Sequence, residues 1–141
     1  MPSTSRDDSA RAKFLNKLAE LDERFRSLEE QLGDGEVISN SARYTQVVKE
    51  HGSLSQIITL YRELRKTLEH IEQAREMLDS GDEEMAELAA AEIEELEDAS
   101  ERLFDDLLKL FATSDDTAHR NVIMEVRAGT GGDEAALFAG D

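Results

Sequence analysis

Residues 121–141 read NVIMEVRAGTGGDEAALFAGD, and the fold class turns on how they are read. Val122, Met124 and Val126 alternate with Ile123, Glu125 and Arg127, the period of a strand with one apolar face. Gly129, Gly131 and Gly132 follow, then Asp133 and Glu134, then an apolar run that starts like a helix. Strand, glycine loop and helix in that order is a common way to hold a phosphate. The stretch therefore predicts the opening of an α/β domain. The charges argue against the phosphate itself. No Lys follows the glycines, as a Walker loop requires, and Glu134 stands where a dinucleotide fingerprint has its last glycine. Asp133 and Glu134 would repel an incoming anion, whereas at a helix start one can cap and the other complements the dipole. Gly129, Thr130, Gly131, Gly132, Asp133 and Glu134 thus read as a structural turn.

Upstream the period changes from two to 3.6. From about Ser9 to Leu32, Leu18, Leu21, Phe25, Leu28 and Leu32 are spaced 3, 4, 3, 4, a coiled-coil seam widened by Phe14 and Leu15. Gly33 is suited to a left-handed helix end, "GDGEVISN" to a turn, and Ser39 or Ser41 to a cap. From about Ser41 to Leu78, Tyr44, Val47, His51, Leu54, Ile58 and Tyr61 repeat the spacing, and Leu64, Leu68, Ile71 and Leu78 extend it. Gly52 marks a bend or break in that helix. "DSGD" at 79–82 predicts a turn, with Gly81 stopping one helix and Asp82 capping the next. From about Glu83 to Phe111, Met85, Leu88, Ile93, Leu96, Leu103, Leu107 and Leu110 form a third stripe. Short connections fold consecutive helices back antiparallel. The expected fold is mainly α. Residues 1–112 form an antiparallel three-helix hairpin of coiled-coil type, and 113–121 form a linker. Residues 122–141 supply the first strand and helix start of an incomplete α/β domain.

Composition narrows the function. With 35% charged, 5% aromatic and 39% hydrophobic residues and a net charge of −17, the chain suits long exposed helices. The apolar periodicity argues against disorder, since each stripe needs a partner to bury it. The chain has no cysteine, which excludes disulfides and thiolate metal sites. It has no signal-peptide core and no apolar run of membrane length, so a soluble, cytoplasmic protein is expected. The run from Asp79 to Asp106 has Arg102 as its only base, and such acidity opposes independent nucleic-acid binding. His51 falls on a seam, where packing is its expected role, and Tyr44 and Tyr61 read as core. His70 and His119 have no partner at ligand spacing. No catalytic, cofactor or metal site is expected. On these grounds alone the chain is a helical interaction module, and a scaffold or chaperone-like hairpin is one reading of it.

A resemblance adds the other. "IMEVRAGTGGDEAALFAGD" (123–141) closely resembles the start of the central domain of bacterial class I peptide chain release factors, in the variant that reads UAA and UAG. "EVISNSARYTQVVKEH" (36–51) and "LYRELRKTLEHIEQAREML" (60–78) are similar to that family's amino-terminal helical domain. The resemblance implies translation termination on the ribosome. It further implies that the helical domain reaches the stalk base of the large subunit, near where the GTPase release factor acts. It also implies that the chain is an amino-terminal fragment, without the codon-reading tripeptide and the Gly-Gly-Gln motif, and hence without enzymatic activity of its own. Gly131-Gly132 precedes Asp133, so it is not that motif.

Overall fold

The chain consists of α1 (Thr4–Leu32), the short α2 (Gly35–Ser39), α3 (Ser41–Leu78), α4 (Glu83–Ala112) and α5 (Thr117–Gly140). The structure is a computed structural model that describes residues 4–114 and 116–140, with side chains over 8–114 and 116–128. The three heptad segments appear as α1, α3 and α4 with bounds close to those expected.

Local chemistry sets the helix ends. Asp34 accepts from the Glu36 amide and starts α2, and Asn40 accepts from the Arg43 amide and starts α3. Asn40, rather than either serine, is therefore the α3 cap. Asp82 accepts from the amides of Glu84 and Met85, as expected for the α4 cap. Gly81 holds φ +87°, the left-handed geometry that spares glycine a Cβ clash. Gly33 does not adopt that geometry. Its amide donates to the Glu30 carbonyl at 3.1 Å, and the Asp34 amide to Gln31, so α1 tightens at its end and runs straight into the next cap. Gly52 does not break α3, which runs unbroken for 38 residues.

The expected strand at 122–127 does not form, and among the described residues there is no strand. Those residues belong to α5, whose backbone also runs through Gly129–Glu134, where a strand-to-helix loop was expected. The side chains of Gly129, Thr130, Gly131, Gly132, Asp133 and Glu134 lie outside the described residues. Two causes favour the helix. Asp116 accepts from the Ala118 amide at 2.8 Å, an N-cap that nucleates the turn. And His119, Ile123 and Val126 are buried at 4, 3 spacing, whereas Met124, assigned to the strand's apolar face, is 69% exposed. A lone strand would leave both edges unpaired, while a helix satisfies its own amides.

The chain divides into two compact units, Met1–Ile58 with Leu110–Asp141, and Thr59–Lys109. In the first unit, Phe25, Leu28, Val37, Val47, Leu54 and Ile58 form a buried cluster, with Leu21 and Leu32 packed against it. Val37 explains α2: five residues of helix aim one valine into this cluster. α1 also packs along α5, with the buried rows Ala10, Phe14, Leu18 and His119, Ile123, Val126. Phe14 meets Phe111 edge to face at 5.0 Å. Each fully buried side chain of this size contributes about 1.5–3 kcal/mol.

In the second unit the later part of α3 and most of α4 form the hairpin. Tyr61, Leu64, Ile71, Ala74, Ala89, Phe104 and Leu107 are its buried positions. Ala74 and Ala89, each 1% exposed, are buried on either side of the turn. Arg75 donates to Glu72 at 2.9 Å and reaches Glu97 at 3.7 Å.

Candidate functional site

Three features were candidates for chemistry: the histidines, the tyrosines and the charged surfaces. The face of α1 that carries Phe25 turns it onto α3, where it stacks on His51 at 4.3 Å and 17° between planes. His51 is thus a packed seam histidine, as its spacing predicted. One residue before each, Arg24 and Glu50 form a two-pronged ion pair at 2.6 and 2.8 Å. The hydrogen bond from Arg24 is the main cause that holds the Glu50 carboxyl below its ordinary value; burial opposes it. The pair locks the register of α1 against α3 but is exposed, which limits its contribution to stability.

His119 is the histidine whose surroundings the sequence did not reveal. Capping by Asp116 places it in the first turn of α5, and the residue is only 6% exposed. It lies against Phe111 at 4.7 Å, with Ser114 Oγ 3.2 Å from Nδ1 and an Asp116 carboxylate oxygen 3.7 Å from Nε2. Burial lowers its pKa; Asp116 opposes that and Lys17 adds to it. A serine, a histidine and an aspartate meet here, but the aspartate also caps the helix and the ring is stacked on a core phenylalanine. The arrangement is a pinned corner between α4 and α5. The signal was available in the sequence: Ser114 and Asp116 are of capping type and lie just past the end of the third stripe at Leu110.

Of the tyrosines, Tyr61 is buried beneath the Arg65 guanidinium, 5.7 Å from its ring centre. Tyr44 is not core; it is exposed on α3. Among the described residues no three histidine, cysteine or acidic side chains are grouped to hold a metal ion. No helix of the described residues is long and apolar enough to cross a membrane.

The surfaces differ in charge. Residues 59–109 hold seventeen acidic and six basic side chains, −11 of the chain's −17. Seam positions Leu68, Leu78 and Met85 are partly exposed there, and Leu88 is 72% exposed. The hairpin is therefore an acidic surface interrupted by apolar side chains.

Comparison with known proteins gives this surface a setting. The PCRF domain family matches residues 21–141. The chain is similar to a "Peptide chain release factor 1" of Geobacter sulfurreducens, 46% identical over 128 residues, 91% of this chain and 36% of that protein. It is 42% identical to the protein of that name from Syntrophomonas wolfei and 40% identical to that from Clostridioides difficile, over 129 residues each and with the same coverage. The chain thus spans about a third of the length of the curated relatives it matches. No solved structure matches it. The match runs through α1, the hairpin and α5 alike, which an unrelated scaffold would not explain. The chain belongs to the PCRF domain family, with its likeness to bacterial peptide chain release factor 1.

Proposed function

We propose that the chain acts in translation termination, as the amino-terminal portion of a stop-codon-dependent release factor in the cytoplasm. The observation that carries this reading is the 40–46% identity to peptide chain release factor 1 over 91% of the chain. Its role is docking. Residues 1–112 present a helical surface to the ribosome near the stalk base of the large subunit, where the GTPase release factor acts, and Gly129–Glu134 form a structural element of the central domain. Residues 1–141 contain no Gly-Gly-Gln, the family's hydrolytic element. They should therefore occupy the factor's place without releasing peptide.

Two measurements on stop-codon ribosome complexes test this. The isolated chain should release no peptide above background. It should slow release by an intact factor when present in large excess, and the inhibition should vanish when the factor is raised. Peptide release by the chain alone, or no competition at saturation, would reject the proposal.

A further inference from the structure

Few side chains hold α5 in place. Among the described residues its buried positions are His119, Ile123 and Val126, against the row Ala10, Phe14 and Leu18 of α1. Two of the three on α5 are aliphatic and pack alike at any pH. The third titrates, and it sits at the end where α5 follows α4. A helix held by so few buried contacts belongs to the part of a structure that opens first.

The corner around His119 suits a neutral ring and not a charged one. Nδ1 lies 3.2 Å from Ser114 Oγ. That oxygen already accepts from the Asp116 amide at 3.1 Å, so its own hydrogen is free to donate to Nδ1. The neutral ring then carries its hydrogen on Nε2. A second proton falls on Nδ1 and sets a donor against a donor. The hydroxyl must rotate, and its hydrogen loses its acceptor. Nε2 faces one Asp116 oxygen at 3.7 Å, beyond hydrogen-bond distance, while the other oxygen caps α5 through the Ala118 amide. Phe111 lies against the ring at 4.7 Å. The surrounding charges do not offset this. α1 brings Lys17, and α3 brings Lys49 and Glu50 to the same hollow, with both Glu50 oxygens bonded to Arg24. Leu110 and Thr113, which also line it, bring no charge. Burial is the main cause that lowers the ring's pKa; Asp116 opposes it and Lys17 adds to it.

We propose that His119 is a proton-operated latch on α5: on taking up a proton its ring leaves the corner of Phe111, Ser114 and Asp116, and α5 comes away from α1. The row Ala10, Phe14 and Leu18 is then uncovered, while the separate cluster built on Phe25, Leu28 and Val37 stays closed. The docked ring resists a proton that the free ring takes up near pH 6.5. As pH falls from that value to the docked ring's own pKa, the opening equilibrium of α5 grows by up to about tenfold per pH unit, and below it the growth stops. The inference goes beyond the termination reading and does not rest on it, because its test involves no ribosome.

The test is amide exchange of the full chain from about pH 7.5 to 5, corrected for the intrinsic rate at each pH, with an NMR titration of the His119 ring. Opening at the amides of residues 121–127 should rise below about pH 6.5, by up to about tenfold per unit. Amides around Leu28 and Leu54 should keep their protection, and the ring should titrate below its ordinary value. His119→Gln should abolish the rise, since its amide stays neutral. Should that variant open α5 at every pH, His119→Leu takes its place. The proposal is overturned by α5 opening that ignores pH in the parent chain, by an equal rise in the variant, by α1 and α3 opening together with α5, or by a ring that titrates at or above its ordinary value.

Discussion

Met1–Ile58 with Leu110–Asp141 and Thr59–Lys109 are built on the same heptad spacing and bury it differently. In the first unit, side chains from α1, α2 and α3 converge on one cluster while α5 covers a second face of α1. Leu18, Leu28, Val37 and Phe14 are all but sealed. The second unit is built from two helical segments, the later part of α3 and most of α4. A pair covers a narrow seam, whereas a heptad stripe with flanking apolar positions is more than 100° wide. Leu68, Leu78, Met85 and Leu88 occupy equivalent places in the repeat and remain partly in solvent. Spacing thus shows that a face is apolar; the number of neighbouring helices decides how much of that face is covered.

The sharpest way to break this comparison is one substitution in each unit. Leu28→Asp places an unpaired charge in a sealed site and should cost at least about 4 kcal/mol. Leu68→Asp, at a position 38% exposed, should cost about 1 kcal/mol or less, because the carboxylate can reach water. Denaturant unfolding of both variants measures the difference, and equal losses would end the distinction.

Next in size is the aromatic contact confined to the first unit. Phe14→Ala and Phe111→Ala should each cost about 3–5 kcal/mol. Their double-mutant cycle should return a coupling of about 1 kcal/mol for the edge-to-face pair. Strict additivity would mean that the two rings contribute only area.

The glycines sharpen it further. Gly52→Ala, in α3 of the first unit, adds a Cβ that meets nothing within 4 Å and should stabilise by up to about 1 kcal/mol. Gly81→Ala, in the second unit, forces a side chain into the left-handed region and should cost about 1 kcal/mol. Melting temperatures that move in the same direction would contradict the two backbone assignments.

The smallest effect expected is a pH dependence carried by His119, in the first unit. Burial lowers the pKa of His119 in the folded chain, while in the unfolded chain the ring takes up a proton near pH 6.5. As pH falls through that value, the unfolded state binds more protons and stability declines, levelling off below the folded pKa. Comparing His119→Gln with the parent chain between about pH 7.5 and 5.5 isolates this contribution. A parent chain no more acid-sensitive than the variant would show that burial does not lower the pKa of the ring.

The sequence made α1, α3 and α4 legible because each repeats its seam over several turns. The Gly81 turn and the Asp82 cap were legible because their chemistry is local. α2 was not: five residues hold no period, and Val37 gains its meaning only from Phe25 and Leu28 far along the chain. α5 was misread because a six-residue window fits alternation as well as helix. Only counting His119 on the apolar face extends the helical spacing to Ile123 and Val126. Of the candidate sites, His51 was placed correctly from its seam position and Tyr44 was not. The Arg24–Glu50 pair depends on α1 lying beside α3, which spacing along one chain does not encode.

The left-handed turn at Gly81 has a practical consequence. The hydrogen bonds of the peptide groups from Asp79 to Asp82 run to residues two to four positions away, and every residue from Asp79 to Glu84 is exposed. Nothing distant is anchored there. Lengthening a loop costs only about 0.6 kcal/mol per doubling, and exposed, locally bonded turns accept insertions readily. Residues 80–81 are therefore the place to splice in an affinity tag, a fluorophore-labelling peptide or a protease site while leaving the helices on either side intact.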